Sequence, residues 1–444
     1  MPKRAGLVHT MMALCAGSVI AQSGCGEHVL MVTLENLSTE ATSISAYFRI
    51  DQDSFRTSAI ETSALTAAGS SFGIRPPEGR SGTLDVQVLA YKDSLPCALG
   101  TGSANADVSG TGPLRATAVL APLSFSPCRA NDAPVSYPID AKIWASAPNN
   151  VWIAGKDAVV LHWNGALFEN IALPDALLGS PKPHITAIRG DSQGNIWLTS
   201  DSSTVIRLDS SRNAAKIPVD LVASSTYSLT FSGVYAESGS ALFSAFSPGL
   251  ADGFIGIYSA ATGRITATQA TKLPTAIASG ELHDVDCTSV SDCWFVGSDA
   301  TVIHYSGGSY TKELVKSDAS CGFTTSLVDI QSVAASTTKS QVKMVGKSGY
   351  FVAYQSTGTP CFYRDNLDSA GSPIQGDLLR ISTRRSDEAI VVGKGVVYRW
   401  RTGGLLLLPG YENGTWQSVS ALSSGFFMTD VSPVPSKIQY AALP

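Results

Sequence analysis

Several stretches of this 444-residue chain carry residue types at spacings from which chemistry could be built. Gly69, Ser71 and Gly73 read G-x-S-x-G, but a nucleophilic serine of that kind needs a strand before it and a helix after it. Here the run IRPP follows, so no nucleophile is expected at Ser71. Asp51 and Asp53 begin like a calcium loop, yet Phe55, Arg56 and Thr62 occupy the positions that need a ligand, a glycine and a bidentate glutamate. That segment reads as a solvated turn. Gly100 and Gly102 lack the third glycine and the helix of a dinucleotide site. His162 and His304 invite a paired metal or acid/base reading. Their equivalents elsewhere in the chain are Arg207, Ile257, Ala353, Arg399 and Gln439, so the position tolerates any side chain, and both rings are expected to be structural.

Trp152, Trp197 and Trp294 could stack on sugars, but at strand positions with period 2 they are expected to pack inside. Asp191, Gly194 and Trp197 form a D-x-x-G-x-x-W turn signal, read as structural. A sialidase-like site would need clustered arginines with an acid and a tyrosine on one face. Arg384 and Arg385 are adjacent and would point opposite ways on a strand, so a surface role in a loop before Ile390 is expected for them. His283 lies four residues before Cys287, but nothing nearby completes a zinc set, and no CxxC, HExxH or Walker loop is present. The sequence thus offers no catalytic, cofactor-binding or metal-binding residues.

What positions these side chains is a repeat. The stretch Lys142–Gly165 reads strand, turn, strand, turn, strand, with runs at Ile143–Ala145, Val151–Ala154 and Val159–Trp163 broken by Pro148, Asn149, Asn150 and Gly155. The third run closes at Trp163, and its equivalents close at Leu208, Tyr258, Tyr305, Tyr354, Trp400 and Tyr440, recurring every 40 to 50 residues. The second run recurs in step near Trp152, Trp197, Phe243, Trp294, Met344, Val391 and Phe427. Several short strands at that period are the signature of propeller blades. The expectation is an all-β chain in which an Ig-like β-sandwich over 25–126 is followed by a linker at 127–133 and a seven-bladed β-propeller over 134–444. Val135–Ile139 is expected to supply the outer strand of the last blade, because a ring held only by covalent neighbours would leave an unpaired edge at its seam.

Charged residues are only 15% of the chain and the net charge is −5, a field too weak for nucleic acid or for anionic lipid. Lys3, Arg4 and the apolar run Ala5–Ala21 read as a secretory signal over 1–24. The eight cysteines lose Cys15 with that signal, and if Cys25 is modified the remaining six pair without remainder in an oxidising compartment. The expected pairs are Cys97 with Cys128, Cys287 with Cys293 across a turn, and Cys321 with Cys361. In the first domain His28–Leu34, Ser43–Ile50, Thr83–Tyr91 and Leu114–Leu120 are strand-like runs, consistent with a sandwich.

Three resemblances bear on this. Ser23, Gly24 and Cys25 resemble the acylation motif of bacterial lipoproteins, with Gln22 where that family usually has leucine; the alternative is ordinary cleavage after Ala21. Gly82–Val108 resembles a module at the front of bacterial secreted lipoproteins. VWIAGKDAVVLHWNG and CWFVGSDATVIHYSGG resemble repeats of propellers related to the photosystem II assembly factor family and of sialidase-type Asp-box propellers, and Ile185–Asp209 resembles the periplasmic sensor propellers of two-component regulators. The resemblances imply an exported lipoprotein, lipidated at Cys25 and held at the outer membrane or cell surface by that anchor alone, or else periplasmic or secreted. A monomer is expected, serving as a non-catalytic binding or assembly platform for an envelope protein or glycan. A glycan-active hydrolase or lyase and a sensor domain are the alternatives.

Overall fold

The computed structural model describes residues 29–122 and 140–442, apart from short internal stretches of which the longer are 66–69, 75–81, 93–97, 110–113, 223–226, 317–329, 335–341, 356–360, 409–413 and 432–436. The chain divides into two compact units, Met1–Arg129 and Ala130–Pro444.

In the first unit, alternation of apolar and polar residues puts Leu30, Val32 and Leu34 of the strand Leu30–Glu35 on one side, and Leu84, Val86 and Val88 of Thr83–Tyr91 do the same. These faces bury a single core together with Ile44, Ala46, Ala116 and Ala118. Two sheets supply it. One has three strands, with Leu30–Glu35 between Ser71–Ile74 and a parallel partner, Leu114–Val119; the other is built on Ser43–Ile50, Thr83–Tyr91 and Ala98–Asp107. Asp53–Arg56 is not a solvated turn as expected: it is a strand paired antiparallel with Tyr47–Ile50. Ser71 begins an edge strand, where its hydroxyl lies 3.2 Å from that of Thr33.

In the second unit the described residues form seven sheets of three to five strands, arranged in chain order. The first is a meander of Lys142–Ala147, Asn150–Ala154, Val160–Trp163 and Phe168–Asn170. The six that follow carry at one edge the opening strands of their meanders, Ile185–Gly190, Thr230–Glu237, Leu282–Ser289, Ile330–Ala334, Leu378–Arg385 and Trp416–Leu422, and in the third and fifth sheets Val219–Leu221 and Val315–Lys316 pair at the opposite edge. Each of these opening strands packs on the next, and the last packs on the first, so they frame a closed ring as inner strands. Trp163, Tyr305 and Trp400 occupy like places: each is on the third strand of its sheet, opposite Val151, Cys293 and Ala389 near the start of the second.

The apolar faces of neighbouring sheets are buried against each other. Trp197 of the second sheet lies in one core with Phe231 and Phe243 of the third, and Trp294 of the fourth lies with Met344 and Phe362 of the fifth. An inner strand has only one sheet neighbour, so its other row of backbone groups must find partners elsewhere. Hydroxyls from adjacent sheets provide them. The Ile143 and Ala145 amides donate to Ser418 Oγ (3.1 Å) and Ser420 Oγ (2.9 Å), and Thr429 Oγ1 donates to the Ala141 carbonyl at 2.8 Å. These three bonds join the seventh sheet to the first. Ser232 does the same between the third and fourth sheets, donating to the Leu282 carbonyl at 2.7 Å. The strand expected over Val135–Ile139 lies outside the described residues.

Candidate functional site

Six of the seven inner strands carry a β-bulge near their start, with register shifts at Ile185/Ala187, Phe231/Gly233, Leu282/Asp284, Ile330/Ser332, Leu378/Arg380 and Trp416/Ser418. A bulge sharpens the local twist and re-aims the residues after it. Two positions beyond each bulge stands a β-branched aliphatic residue: Ile188, Val234, Val285, Val333, Ile381 or Val419, with Ile143 as its counterpart on the first strand. All seven are buried, and all seven contribute to the wall of a cavity of about 210 Å³ framed by the inner strands. The residues flanking this apolar girdle are the variable ones.

Five of those flanking residues are charged: Lys142, Arg189, Asp284, Asp286 and Arg380, all lining the cavity. Arg189 of the second sheet lies over the Tyr235 ring of the third, 5.2 Å from its centroid, and reaches Asp286 of the fourth at 3.6 Å. Gly233 leaves room beneath: a Cβ there would come within 2.7 Å of Asp284 Oδ1. Burial first, then the Glu237 carboxylate, pushes the Tyr235 hydroxyl up to about 12. On the other side of the ring Lys142 is 8% exposed. Burial, and after it the Arg380 guanidinium, pulls its ammonium down to about 7 against the opposing effect of Asp140. His184 is also held down, by burial and then by Lys142.

The residues singled out from sequence fall mostly away from this cavity. His162 and His304 sit in different sheets, each stacked on the tryptophan directly across the strand pair: Trp152 at 4.2 Å and Trp294 at 4.0 Å. Arg207 holds the same place against Trp197, at 5.7 Å. The position therefore does not accept any side chain. Where the second strand presents tryptophan, the third answers with a flat imidazole or guanidinium that covers the indole face, a pairing visible only when both strands are compared. His162 Nδ1 accepts from Arg212 at 3.0 Å and Nε2 donates to Asn150 Oδ1 at 2.8 Å, which requires the neutral ring. Burial, then Arg212, pulls it down to about 4. Trp152, Trp197 and Trp294 are buried between sheets, closed to a sugar.

Asp191 is a structural turn residue: its carboxylate accepts the Gln193 and Asn195 amides at 2.9 Å and, from the next sheet, the Gly239 amide at 3.2 Å. Arg384 overturns the surface role expected for it. It lies on the inner strand Leu378–Arg385 with its side chain buried, paired at 3.0 Å with Glu388, and it donates to the Leu422 and Ser423 carbonyls of the seventh sheet. Arg399 and Arg401 converge on the same Glu388. Cys287 and Cys293 face each other across their strand pair and are joined in a disulfide. Cys361 is disulfide-bonded, and its expected partner Cys321 lies outside the described residues, as do Cys25, Cys97 and Cys128. His283 is held to Ser298 Oγ at 2.9 Å. Among the described residues no three His, Cys, Asp or Glu side chains gather as metal ligands, and no described helix is long and apolar enough to cross a membrane.

No protein-family model matches the chain, and no curated protein matches it. Solved structures similar to it include YCF48 bound to D1 peptide, at 13% identity over 70% of this chain and 94% of that one, with a TM-score of 0.48. YCF48 from Cyanidioschyzon merolae is similar at 16% identity, over 70% and 98% of the two chains, with a TM-score of 0.48. The extracellular domain of a hybrid two-component system from B. thetaiotaomicron is similar at 11% identity over 69% of this chain and 40% of that one, with a TM-score of 0.47. With identities and scores of this size, function is read from the chain's own residues.

Proposed function

We propose that the chain is an exported, non-catalytic binding or assembly platform: an Ig-like sandwich joined to a seven-bladed β-propeller whose partner engages the face around the central cavity. The observation that carries this is the lining of that cavity, where seven inner strands contribute an apolar girdle flanked by charges of both signs. The two sheets of the first unit packed over one shared core support the sandwich assignment. Two features speak against a sialidase-like enzyme. Arg189 is committed to Tyr235 and Asp286, and the Tyr235 hydroxyl is made harder to ionise, the opposite of what a nucleophile needs. The bonded Cys287–Cys293 pair suits an oxidising compartment, which supports export with Cys25 acylated and Cys97–Cys128 and Cys321–Cys361 as further bridges.

The test is capture from envelope fractions with the full chain as bait, beside a glycan-cleavage panel. Specific capture that is lost on substituting the charged channel residues supports the platform. Glycan turnover abolished by Asp286→Asn establishes the enzyme instead. Labelled palmitate incorporation that disappears in Cys25→Ala decides the anchor.

A further inference from the structure

We propose that the central channel holds a carboxylate of its ligand between Lys142 and Arg380, with the Ser418 hydroxyl between them; this rests on the platform reading and names the chemistry its channel takes. The three side chains come from the first, sixth and seventh sheets, at the same level just below the apolar girdle, and all line the one cavity.

Lys142 is the first reason. More than nine-tenths of it is buried, and no described side chain hydrogen-bonds its ammonium or pairs with it within 4 Å, although it faces the cavity. A buried charge without a partner is costly, and natural sequences keep one where something else supplies the counter-charge. Arg380 is the second. It lies close enough for its charge to act on Lys142, so two cations face one space. Arg380 Nη1 donates to the Leu379 carbonyl at 2.9 Å, and the residue lines the same cavity as Lys142. Ser418 is the third: its oxygen accepts the Ile143 amide, and among the described residues nothing accepts its own proton. Ammonium, hydroxyl and guanidinium on adjacent sheets form a donor set for a planar anion.

The opposite wall selects the charge of that anion. Asp284 and Asp286 line the same cavity, and Asp140 acts on Lys142 from its own segment, so a monoanionic carboxylate is tolerated where a dianionic phosphate is repelled. His184 is the remaining titratable group that senses Lys142. Ligand binding favours the protonated amine, so affinity rises as pH falls through about 7.

The experiment titrates the full chain with the monoanionic acid N-acetylglycine, with the diamide N-acetylglycinamide as the uncharged probe, and with inorganic phosphate, following the Ile143 and Ser418 amide resonances. Saturable binding of the acid, no binding of the diamide, and a loss of roughly 10- to 100-fold in both Lys142→Met and Arg380→Met, the worth of one charge-assisted hydrogen bond, bear the proposal out. The pH dependence disappears in Lys142→Met, while Arg380→Met, at a half-buried position, serves if the first variant fails to fold. Equal affinity in the variants, no binding of the acid, or tighter binding of phosphate overturns it. Envelope capture that persists when the acid does not bind sinks this inference and leaves the platform standing; acid binding without capture does the reverse.

Discussion

Replacing Glu388 by glutamine tests the network that ties the sixth sheet to the seventh. The Glu388 side chain is 2% exposed, and it faces Arg384 at 3% and Arg399 at 12%. Burial opposes ionisation of Glu388, but the hydrogen bond and charge of Arg399, then the charges of Arg384 and Arg401, outweigh it and hold the carboxyl below the usual range. Glutamine keeps the shape and removes the charge, leaving two buried guanidiniums without a counter-charge. Breaking one side of a buried ion pair costs about 3–5 kcal/mol. Arg401, with 55% of its side chain exposed, adds little. At roughly 2 °C per kcal/mol for a unit of this size, Tm should fall by about 5–10 °C. Replacing Glu388, Arg384 and Arg399 together with apolar residues should recover most of the loss, less the bonds Arg384 makes to the Leu422 and Ser423 carbonyls. Denaturant unfolding of the full chain followed by tryptophan fluorescence gives the measurement. A Glu388→Gln variant within about 1 kcal/mol of the parent would show that these arginines are solvated in solution and refute the reasoning.

Further expectations concern the ring and its titration. Lys142 has a folded value of about 7 against an ordinary 10.5, so between those values the unfolded chain binds a proton that the folded chain does not. Stability therefore drops as pH falls through that window, and Lys142→Met should gain on the parent from pH 10.5 down to 7 and stay level below it, as read by unfolding at a series of pH values. Thr429→Val and Ser420→Ala each strand a buried backbone group at the junction of the seventh and first sheets, costing about 1–3 kcal/mol, with faster amide exchange at Ala145 in the second variant. Reducing the Cys287–Cys293 bridge should cost about 2 kcal/mol by the loop-entropy relation, checked by unfolding with and without reductant. The seventh sheet has three described strands, the outermost being Lys437–Ala442. If Val135–Ile139 covers it, the outward amides of Lys437–Ala442 are protected from exchange and lose protection when 135–139 is deleted.

The repeat was legible because second and third strands are buried on both faces and carry continuous apolar runs such as VWIA and IWLTS. Fourth strands were not, since short outer segments such as Phe168–Asn170 and Ala214–Ile217 are partly exposed and leave little hydrophobic trace. Arg384 was misplaced for a related reason: a charged pair of residues before Ile390 looks solvent-facing until Glu388 and Arg399 are brought beside it by two antiparallel registers. The channel residues were missed altogether. A signal existed in the β-branched residue that precedes each VWIA-like run, from Ile143 through Ile188 and Val234 to Val419, and aligning the chain on it would have placed Lys142, Arg380 and Asp284 at one level. The bulges hid it, because an extra residue in the inner strand breaks the period-2 alternation on which the alignment depended.

That same irregularity explains why the variable chemistry collects at the axis. Second and third strands are constrained on both faces by neighbouring sheets, and their tolerance is limited to matched pairs such as Trp152 with His162 or Trp294 with His304. Inner strands are constrained at one residue in two by the girdle from Ile143 to Val419, while hydroxyls such as Ser418 and Ser420 satisfy their open backbone edge. Other positions on either side of the girdle are free to hold Lys142, Asp284 or Arg380 without disturbing a sheet-to-sheet core. A ring built this way fixes its geometry through the repeated strands and leaves its ligand preference to residues next to the bulges. Substituting those residues should therefore alter binding more than folding, with Lys142, whose charge is buried, as the exception.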